Sequence, residues 1–402
     1  MKRLYLYDDS IARDFQPFAL TRPVSELRAG AEIIRLRWER IARTRSYGFI
    51  SSAHLENFEE MDAPPAVHGE ATIPPGSVIA SARFVASLGG ALDDISGAFS
   101  CGGRVCAVRV RKSIDMQGLA SGSLSLDSLV EEGSDPVPLA GRWLDHVWDL
   151  IGDLAAQLSE DIPLIGGKLS GASIENATII GRHPIYCETG VRIEPYVILD
   201  ANDGPILIRR GATIASFSRI VGPCYLGEDS HVAGDAIRAC SIGNVCKVRG
   251  EIASSVMLGH SNKGHTGFVG SSYIGRWVNL GAGTTTSNLK NTYGNVQLWT
   301  PRGIEDTGLQ FVGSLIGDHA KTGIGTMLTT GCVVGAGANV YGAGVTPKYV
   351  PAFAWGDSEP YARFESDKFL EVAERMMARR HVTLGPKGRR HLEAAYESAG
   401  AV

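Results

Sequence analysis

The sequence predicts an α/β domain at the N-terminus, a parallel β-helix in the middle of the chain and a short helical tail. Three observations support this prediction: abundant glycine, its uneven distribution, and aliphatic residues at every sixth position. Glycine accounts for 49 of the 402 residues, with 13 in residues 1–150 and 31 in residues 165–350. Average proteins contain about 7% glycine, and the chain lacks the period of collagen. Another glycine-rich architecture is therefore required.

The change in composition near residue 160 divides the chain into domains at residues 1–160, 161–350 and 351–402. In the first domain, short apolar runs predict strands, and a period of three to four residues behind a Thr or Pro predicts helices. We predict strands at 4–7, 47–50 and 105–110, and helices at 23–43 and 144–158.

The middle domain has a period of six residues. Five consecutive positions hold aliphatic residues at this spacing: Ile208, Ile214, Ile220, Leu226 and Val232. Shorter runs repeat it: Ile174/Ile180, Val191/Val197, Ile242/Val248, Ile274/Leu280 and Leu328/Val334/Val340. Such a repeat places one aliphatic side chain inward on each flat face, with tight glycine-rich turns between the faces. Three faces make one coil of about 18 residues.

Two segments interrupt the period, at residues 234–241 and 284–309, and we expect both to project from the β-helix as loops. After Pro351 the pattern becomes helical. One face of the first tail helix is apolar and contains Phe369, Leu370, Ala373, Met376 and Met377. Residues 389–398 are predicted to form a second helix. We expect the tail to pack as a helical lid on the end of the β-helix.

Composition and charge exclude several classes of function. The formal net charge of −4, without a block of like charge, argues against a nucleic-acid partner. The longest uncharged stretch, residues 322–347, contains seven glycines and is unlike a membrane helix. Asp8 and Asp9 lie within the first nine residues, which argues against a secretion signal. The seven cysteines include no CxxC pair, which favours a reducing compartment. We expect a soluble, cytoplasmic protein.

Polar residues that break the repeat are the candidates for chemistry, and residues 258–284 are dense in them. His265 can act as a general base because an imidazole accepts a proton near neutral pH. Asn279 and Asn288 can orient an amine or hydroxyl nucleophile. Lys263 and Lys290 can bind an anionic group such as a phosphate.

A zinc site is the alternative interpretation of the same segment. His260 and His265 lie close together in the sequence and can bind zinc between subunits with a third histidine, as in a carbonic-anhydrase-type hydratase. The spacing between His231 and His260 is not a whole number of hexapeptides. A non-catalytic trimeric scaffold is a further alternative.

The sequence resembles a known family in two stretches of the middle domain. His265-Thr-Gly-Phe-Val-Gly and Ile274-Gly-x-x-Val-Asn279-Leu-Gly-Ala-Gly-Thr284 resemble the acetyltransferase half of the GlmU-like family, the bifunctional N-acetylglucosamine-1-phosphate uridyltransferase/glucosamine-1-phosphate N-acetyltransferases. Residues 18–30, 261–268 and 287–291 are closer to a branch described as sugar nucleotidyltransferases. The resemblance implies a left-handed β-helix and a homotrimer.

The resemblance also implies roles for single residues. His265 matches the family's base, Asn279 and Asn288 match asparagines of the sugar site, and Ser314 matches a serine near the acetyl thioester. Lys290 lies near a lysine that closes over the substrate. Arg238, Lys247 and Arg249 are substitutes, by proximity only, for the residues that hold the sugar phosphate. Phe268 stands where the better-known branch has a tyrosine.

The N-terminal domain departs from the family, because the glycine-rich loop that binds the nucleotide triphosphate is replaced by Leu6-Tyr-Asp-Asp-Ser10. Arg22 and Arg28 can bind the anion instead, and Asp8 or Asp9 can hold Mg²⁺. Alternatively, both arginines are ion-paired scaffold residues of a degenerate domain.

Together these observations predict an enzyme that N-acetylates a sugar phosphate. His265 takes a proton from the amine, which attacks the thioester of acetyl-CoA, and backbone N–H groups stabilise the oxyanion. The N-terminal domain then couples the product to UMP from UTP with Mg²⁺. This would make UDP-N-acetylglucosamine or a related nucleotide sugar for the cell envelope.

Overall fold

The structure, a computed structural model, describes residues 3–69, 71–92, 97–174, 176–342 and 344–400. Two compact units are present: Met1–Val147 with Gly385–Val402, and Trp148–Leu384. The boundary lies at residue 147, whereas composition predicts it at 160. The described residues form seven α-helices: α1 (Ser10–Arg13), α2 (Ile34–Ala42), α3 (Met116–Ala120), α4 (Asp149–Gly152), α5 (Leu154–Gly166), α6 (Ser366–Ala378) and α7 (Pro386–Ala399).

The first unit is built on a mixed six-stranded sheet. Its strands occur in the order Val137–Pro138, Ala98–Cys101, Arg104–Arg109, Val78–Ser81, Leu4–Tyr7 and Ser46–Ile50. Short strand pairs complete the unit: Arg28–Ala29 with Glu32–Ile33, Thr72–Ile73 with Ile114–Asp115, and Phe84–Ala86 with Gly141–Trp143. The three predicted strands are therefore confirmed to within one residue.

The predicted helix over residues 23–43 is wrong in its first half. A 3₁₀ turn at Val24–Glu26 and a two-stranded hairpin precede α2. The cause is Gly30, which adopts φ 61°, a left-handed conformation that reverses the chain and that glycine adopts without steric cost. Two further 3₁₀ turns lie at Ala53–Leu55 and Leu126–Leu129. The helix predicted over residues 144–158 begins later and is divided into α4 and α5.

The second unit is a β-solenoid with three parallel faces. Face 1 contains Ala177–Gly181, Val197–Ala201, Ser218–Val221, Asp235–Arg238, Glu251–Ala253 and Phe268–Gly270. Face 2 contains Ile185–Cys187, Ile206–Ile208, Cys224–Leu226, Ser241–Ile242, Val256–Gly259, Tyr273–Arg276, Ser314–Ile316, Cys332–Val334 and Tyr349–Val350. Face 3 contains Arg192–Ile193, Thr213–Ile214, His231–Val232, Lys247–Val248, Asn262–Lys263, Asn279–Leu280, Lys321–Thr322, Asn339–Val340, Ala354–Gly356 and, antiparallel at its end, Ala362–Arg363.

The interior of the solenoid contains the residues of the six-residue repeat. All five members of the unbroken series belong to one core cluster and are 0% exposed, so the prediction is confirmed. Ile180 is wrong as an inward residue, because it pairs with Asp200, whereas its neighbour Ile179, although 52% exposed in this first strand of face 1, pairs with the core residue Leu199. Side chains alternate along a strand, so the two isoleucines point to opposite sides.

The coils differ in length. Along face 2, Ile208 pairs with Leu226, Leu226 with Ile242, and Ile242 with Met257, so that each coil in this series is shorter than the one before it. The shorter coils explain why residues 234–241 are wrongly predicted as a loop. These residues include the face 1 strand Asp235–Arg238, reached by a shorter turn.

The second predicted interruption does leave the solenoid. Ile274 pairs with Ile316, which lies more than two coil lengths later in the chain. Thr285–Thr286 pairs with Met327–Leu328, and a bridge between Leu289 and Phe311 then closes an excursion. The excursion ends in a hairpin of Gln297–Thr300 and Gly303–Asp306.

The tail, which is predicted as one segment, is divided between the units. Helix α6 packs within the solenoid unit, where the ring of Phe369 lies 5.0 Å from that of Phe353. Helix α7 belongs to the first unit, where His391 packs 5.3 Å from the ring of Phe58 and its Nε2 lies 2.9 Å from the carbonyl oxygen of Thr21. Burial lowers the pKa of His391 to about 4. A neutral imidazole at this position donates to the carbonyl.

Candidate functional site

A cavity of about 510 Å³ lies between face 3 of the solenoid and helix α6. On the solenoid side, four residues occupy equivalent positions in successive coils, because Lys247 pairs with Asn262, Asn262 with Asn279, and Asn279 with Lys321. His260, His265 and Val278 complete this wall. Helix α6 and the residues after it supply the opposite wall: Val372, Arg375, Met376, Arg379 and Arg380.

His265 lies in the turn between face 3 and face 1, and its exposed side chain lines the cavity. The turn is held by Lys263, whose Nζ donates to the carbonyl oxygens of His265 and Thr266. Gly267, at φ 134°, permits the close approach to the next coil, because a Cβ there would lie 2.3 Å from the carbonyl oxygen of Thr284. A fixed turn thus presents the imidazole to the cavity.

Asn279 lies in the cavity beside Asn262. Nδ2 of Asn262 donates a hydrogen bond of 2.8 Å to Oδ1 of Asn279. With its oxygen engaged in this bond, the amide of Asn279 contributes its N–H groups as hydrogen-bond donors at the cavity wall. The predicted base and one of the two predicted asparagines therefore line the same cavity.

The cavity has a strongly positive lining. Lys247, Lys321 and three arginines contribute five cationic side chains, and no carboxylate occurs among the described lining residues. Nζ of Lys321 donates to the carbonyl oxygen of His319 at 2.9 Å, and burial lowers the pKa of this lysine to about 8. An anionic ligand suits this environment.

The prediction that Lys263 binds the substrate is wrong. This lysine is fully buried and occupies the inward position of face 3, paired with the core residue Val248. Burial lowers the pKa of its ammonium to about 8, and the group is engaged with the carbonyls of the turn. Its role is to position His265.

The prediction that Ser314 lies near the thioester is also wrong. This serine is 0% exposed and pairs with the core residue Cys332 on face 2. Its neighbour in the preceding coil, Ser272, accepts a hydrogen bond from the backbone nitrogen of Ser314 at 2.9 Å. A side chain inside the solenoid cannot contact a ligand that binds outside.

The remaining solenoid candidates lie outside this cavity. Arg249 is half-exposed and its Nε lies 3.4 Å from Asp235. At the start of the excursion, Asn288 donates to Oγ of Ser271 at 3.3 Å, and Nζ of Lys290 donates to the carbonyl oxygen of Asn295 at 2.8 Å. These three residues are not brought together with His265 in the cavity.

The zinc interpretation gains no support. His260 lines the cavity, but its ring packs against Trp277 with centroids 4.4 Å apart. Nδ1 of His231 lies 2.5 Å from the hydroxyl of Thr213. Within the described ranges, no group of three or more His, Cys, Asp or Glu side chains could hold a metal ion.

In the first unit, Arg22, Arg28 and Asp8, which are predicted to bind nucleotide and metal, are buried, whereas the alternative metal ligand Asp9 is partly exposed. Arg22 forms an ion pair of 2.5 Å with Glu60, and Nη1 of Arg28 donates to the carbonyl oxygen of Ala31 at 2.7 Å. Both arginines are at most 3% exposed, which favours the scaffold interpretation of these two residues.

Asp8 does not fit Mg²⁺. Its carboxyl is 2% exposed and accepts from the hydroxyl of Ser51 at 2.5 Å and from the backbone nitrogen of Val24 at 3.2 Å. Burial raises its pKa to about 7, which disfavours the ionised form that binds a cation.

A smaller cavity of about 280 Å³ lies beside this site, and no sequence motif predicts it. Its lining includes Asp9, Arg83, Arg104 and Trp143. Arg83 forms an ion pair of 2.7 Å with Asp9, and the guanidinium of Arg104 lies 4.1 Å from the centroid of the Trp143 ring. Both arginines are also paired with Asp145, Arg83 at 3.1 Å and Arg104 at 2.8 Å, and a second carboxylate, Asp127, lines the cavity.

No helix in the described part of the chain is long and apolar enough to cross a membrane.

Comparison with known proteins finds a similar family for the first part of the chain. Residues 4–168 match the family described as "Sugar nucleotidyl transferase". This range extends beyond the first compact unit into α4 and α5.

Curated relatives include two proteins named "Bifunctional protein GlmU". The one from Bartonella quintana is 27% identical over 46% of this chain and 37% of its own length. The one from Synechococcus elongatus is 26% identical over 61% of this chain and 49% of its own. A bifunctional sugar-1-phosphate nucleotidylyltransferase/acetyltransferase from Sulfurisphaera tokodaii is 33% identical over 25% of both chains. The chain spans about half or less of the length of these relatives.

Among solved structures, a UDP-N-acetylglucosamine acyltransferase from Arabidopsis aligns with 57% of this chain and 95% of its own, at 13% identity and a TM-score of 0.27.

Proposed function

We propose, for a chain that is GlmU-like in sequence, that the cavity between face 3 and α6 transfers an acyl group from a thioester to the amine of a sugar phosphate. The observation that carries this proposal is the position of His265. Its exposed imidazole shares one cavity with the amide of Asn279 and with five cationic side chains. These are a base, a hydrogen-bond donor and an anion-binding wall.

The reaction proceeds by nucleophilic attack on the thioester carbonyl. The imidazole of His265 accepts a proton from the amine while the amine nitrogen forms a bond to the carbonyl carbon. The C–S bond then breaks, and the thiolate leaves and takes up a proton. The N–H groups of Asn279 hold the acceptor in place, and the cations bind its phosphate.

For the substrates, we take acetyl-CoA as the donor and glucosamine-1-phosphate as the acceptor, by similarity to the GlmU proteins. The product would enter the synthesis of UDP-N-acetylglucosamine or a related nucleotide sugar for the cell envelope. A homotrimer in the cytoplasm is the assembly and location that the same similarity supports.

For the first unit, we propose nucleotidyl transfer with UTP as the nucleotide donor, on the basis of the family match over residues 4–168. The cavity lined by Arg83, Arg104 and Trp143 is the proposed nucleotide site. The family's reaction uses Mg²⁺, but the buried Asp8 does not fit that ion, and Asp9 is paired with Arg83 at 2.7 Å. We therefore derive no metal-dependent step.

The test is an assay of purified protein with glucosamine-1-phosphate and acetyl-CoA, following free CoA and then pyrophosphate after UTP and Mg²⁺ are added. His265→Gln should lower kcat about 10²- to 10⁴-fold, the usual contribution of a general base. The matched control is His183→Gln, an exposed histidine of the solenoid outside the cavity, which should retain full activity.

The outcomes separate the candidate functions. Release of CoA without pyrophosphate would confine activity to the solenoid. Full activity of His265→Gln would refute its role as the base. If neither CoA nor pyrophosphate is released, stoichiometric zinc in the protein would favour the hydratase, and its absence would leave the scaffold or a different sugar acceptor.

A further inference from the structure

We propose that Arg375, Arg379 and Arg380, together with Lys247, form a binding site for phosphate groups at the edge of the candidate cavity. Only the identity of the ligand rests on the acyl transfer proposed above. Of the residues predicted from the sequence to hold the phosphate, Arg249, Lys263 and Lys290 are engaged elsewhere, whereas Lys247 lines the cavity. The tail helix provides the replacement.

The arginines share one face of the tail helix and its C-terminal end. Val372, Arg375, Met376 and Arg379 follow the spacing i, i+3, i+4, i+7, which places them along one side of a helix. This side borders the cavity, while the neighbouring apolar side, with Phe369 and its companions, packs on the solenoid. Packing of the apolar side therefore fixes the direction of the arginines.

The charges of this cluster are not neutralised by the protein. Arg379, Arg380 and Lys247 form no ion pair with any carboxylate that the structure describes, and Arg375 contacts Glu371 on the exposed side of its own helix, at 3.0 Å. By contrast, the buried Arg35 of the first unit is paired with Glu26 at 2.6 Å. Clustered like charges repel one another, and a bound anion removes that cost.

The cationic side chains of the cavity are spread over a distance longer than one phosphate group. Lys247 and Lys321 are three strands apart on face 3 and are therefore separated by about 14 Å along the solenoid, at about 4.8 Å per strand. A single phosphate group cannot contact both ends. The cavity fits either a ligand with several phosphate groups or two ligands that each carry phosphate.

Two sources of phosphate are compatible with this chemistry, the sugar phosphate that accepts the acyl group and the phosphorylated carrier of the thioester. The first measurement is calorimetric binding of inorganic pyrophosphate to the full chain. We expect the double variant Arg379→Ala/Arg380→Ala to bind at least about tenfold more weakly, as for the loss of charge-assisted hydrogen bonds. Arg379→Lys should retain part of the affinity.

Lys368→Ala is the matched control, because Lys368 lies on the same helix, pairs with Glu365 at 2.9 Å and does not line the cavity. It should bind pyrophosphate like the unmodified protein. Equal affinity of the double variant and the unmodified protein, with both folded by circular dichroism, would overturn the proposal.

The arms of a kinetic experiment distinguish the two sources. If the phosphate belongs to the acceptor, the double variant raises KM for glucosamine-1-phosphate with acetyl-CoA and also with the phosphate-free donor acetyl-pantetheine. If it belongs to the carrier, the defect disappears with acetyl-pantetheine. Pyrophosphate binding that depends on the arginines, in a protein that releases no CoA, would uphold this site while refuting the acyl transfer.

Discussion

Replacing Asp8 with asparagine should change the pH dependence of folding without changing any response to Mg²⁺. The Asp8 carboxyl is buried at the end of the strand Leu4–Tyr7, and burial raises its pKa from 3.8 to about 7. Between these two values the folded state holds a proton that the unfolded state has lost. The free energy of unfolding therefore falls as the pH rises from about 4 to about 7.

The size of this effect follows from the two pKa values. Each tenfold difference in proton affinity corresponds to about 1.4 kcal/mol, so the full loss above about pH 7 amounts to about 4 kcal/mol. An asparagine side chain does not titrate, so Asp8→Asn should lack this loss. Relative to the unmodified protein, the stability of the variant should therefore increase by about this amount between about pH 4 and pH 8.

The assay is urea unfolding followed by tryptophan fluorescence at several pH values, with and without Mg²⁺. Asp135→Asn, an exposed carboxyl of the same unit, is the matched control and should follow the unmodified protein at every pH. A stability difference for Asp8→Asn that does not vary with pH would refute the reasoning. Stabilisation by Mg²⁺ that Asp8→Asn abolishes would restore Asp8 as a metal ligand.

Three further substitutions test the solenoid. Lys263→Met should lower the melting temperature and reduce acetylation, because the carbonyl oxygens of the turn lose their donor and His265 is no longer held; normal activity would contradict its positioning role. Ile220→Ala should cost about 2–5 kcal/mol in urea unfolding, against less than about 0.5 kcal/mol for the exposed Ile180→Ala, and equal costs would contradict the assignment of the core. Gly313→Ala should prevent normal folding, seen as loss of soluble protein or of the native circular dichroism spectrum, because its Cβ would lie 2.0 Å from a backbone oxygen of the preceding coil; a native-like, stable variant would show that the coils can separate.

The core of the solenoid could be predicted because one inward position recurs with a constant period. Ile214 and Ile220 are found where that period places them. The same rule fails at Ile180, because the register of its strand gives the inward position to Ile179, which pairs with Leu199. It fails again at residues 234–241, where shorter turns replace the expected loop.

The candidate site could be predicted only in part. Motif similarity identifies the turn that contains His265 and the strand that contains Asn279. It does not say which side of a strand a residue occupies, and a shift of one residue reverses that side. Asn262 therefore faces the cavity, while Lys263, the next residue, faces the core.

The cationic side of α6 could not be predicted, for a different reason. The spacing of Arg375 and Arg379 is readable in the sequence, beside the apolar face of the same helix. Nothing in a local pattern indicates which face of the solenoid a distant helix covers. That information lies in long-range packing, as in the contact between Phe369 and Phe353.

The unequal coils have a consequence for assembly of the chain. If every coil had the same length, a strand could pair with the wrong neighbour, one full coil out of place, and still bury an aliphatic residue at every inward position. Along face 2, the coils that join Ile208, Leu226, Ile242 and Met257 become shorter in succession. A strand displaced by one coil would therefore be followed by a turn with too many or too few residues. Within this series each coil therefore fits its own neighbours best, and a repetitive sequence specifies their alignment.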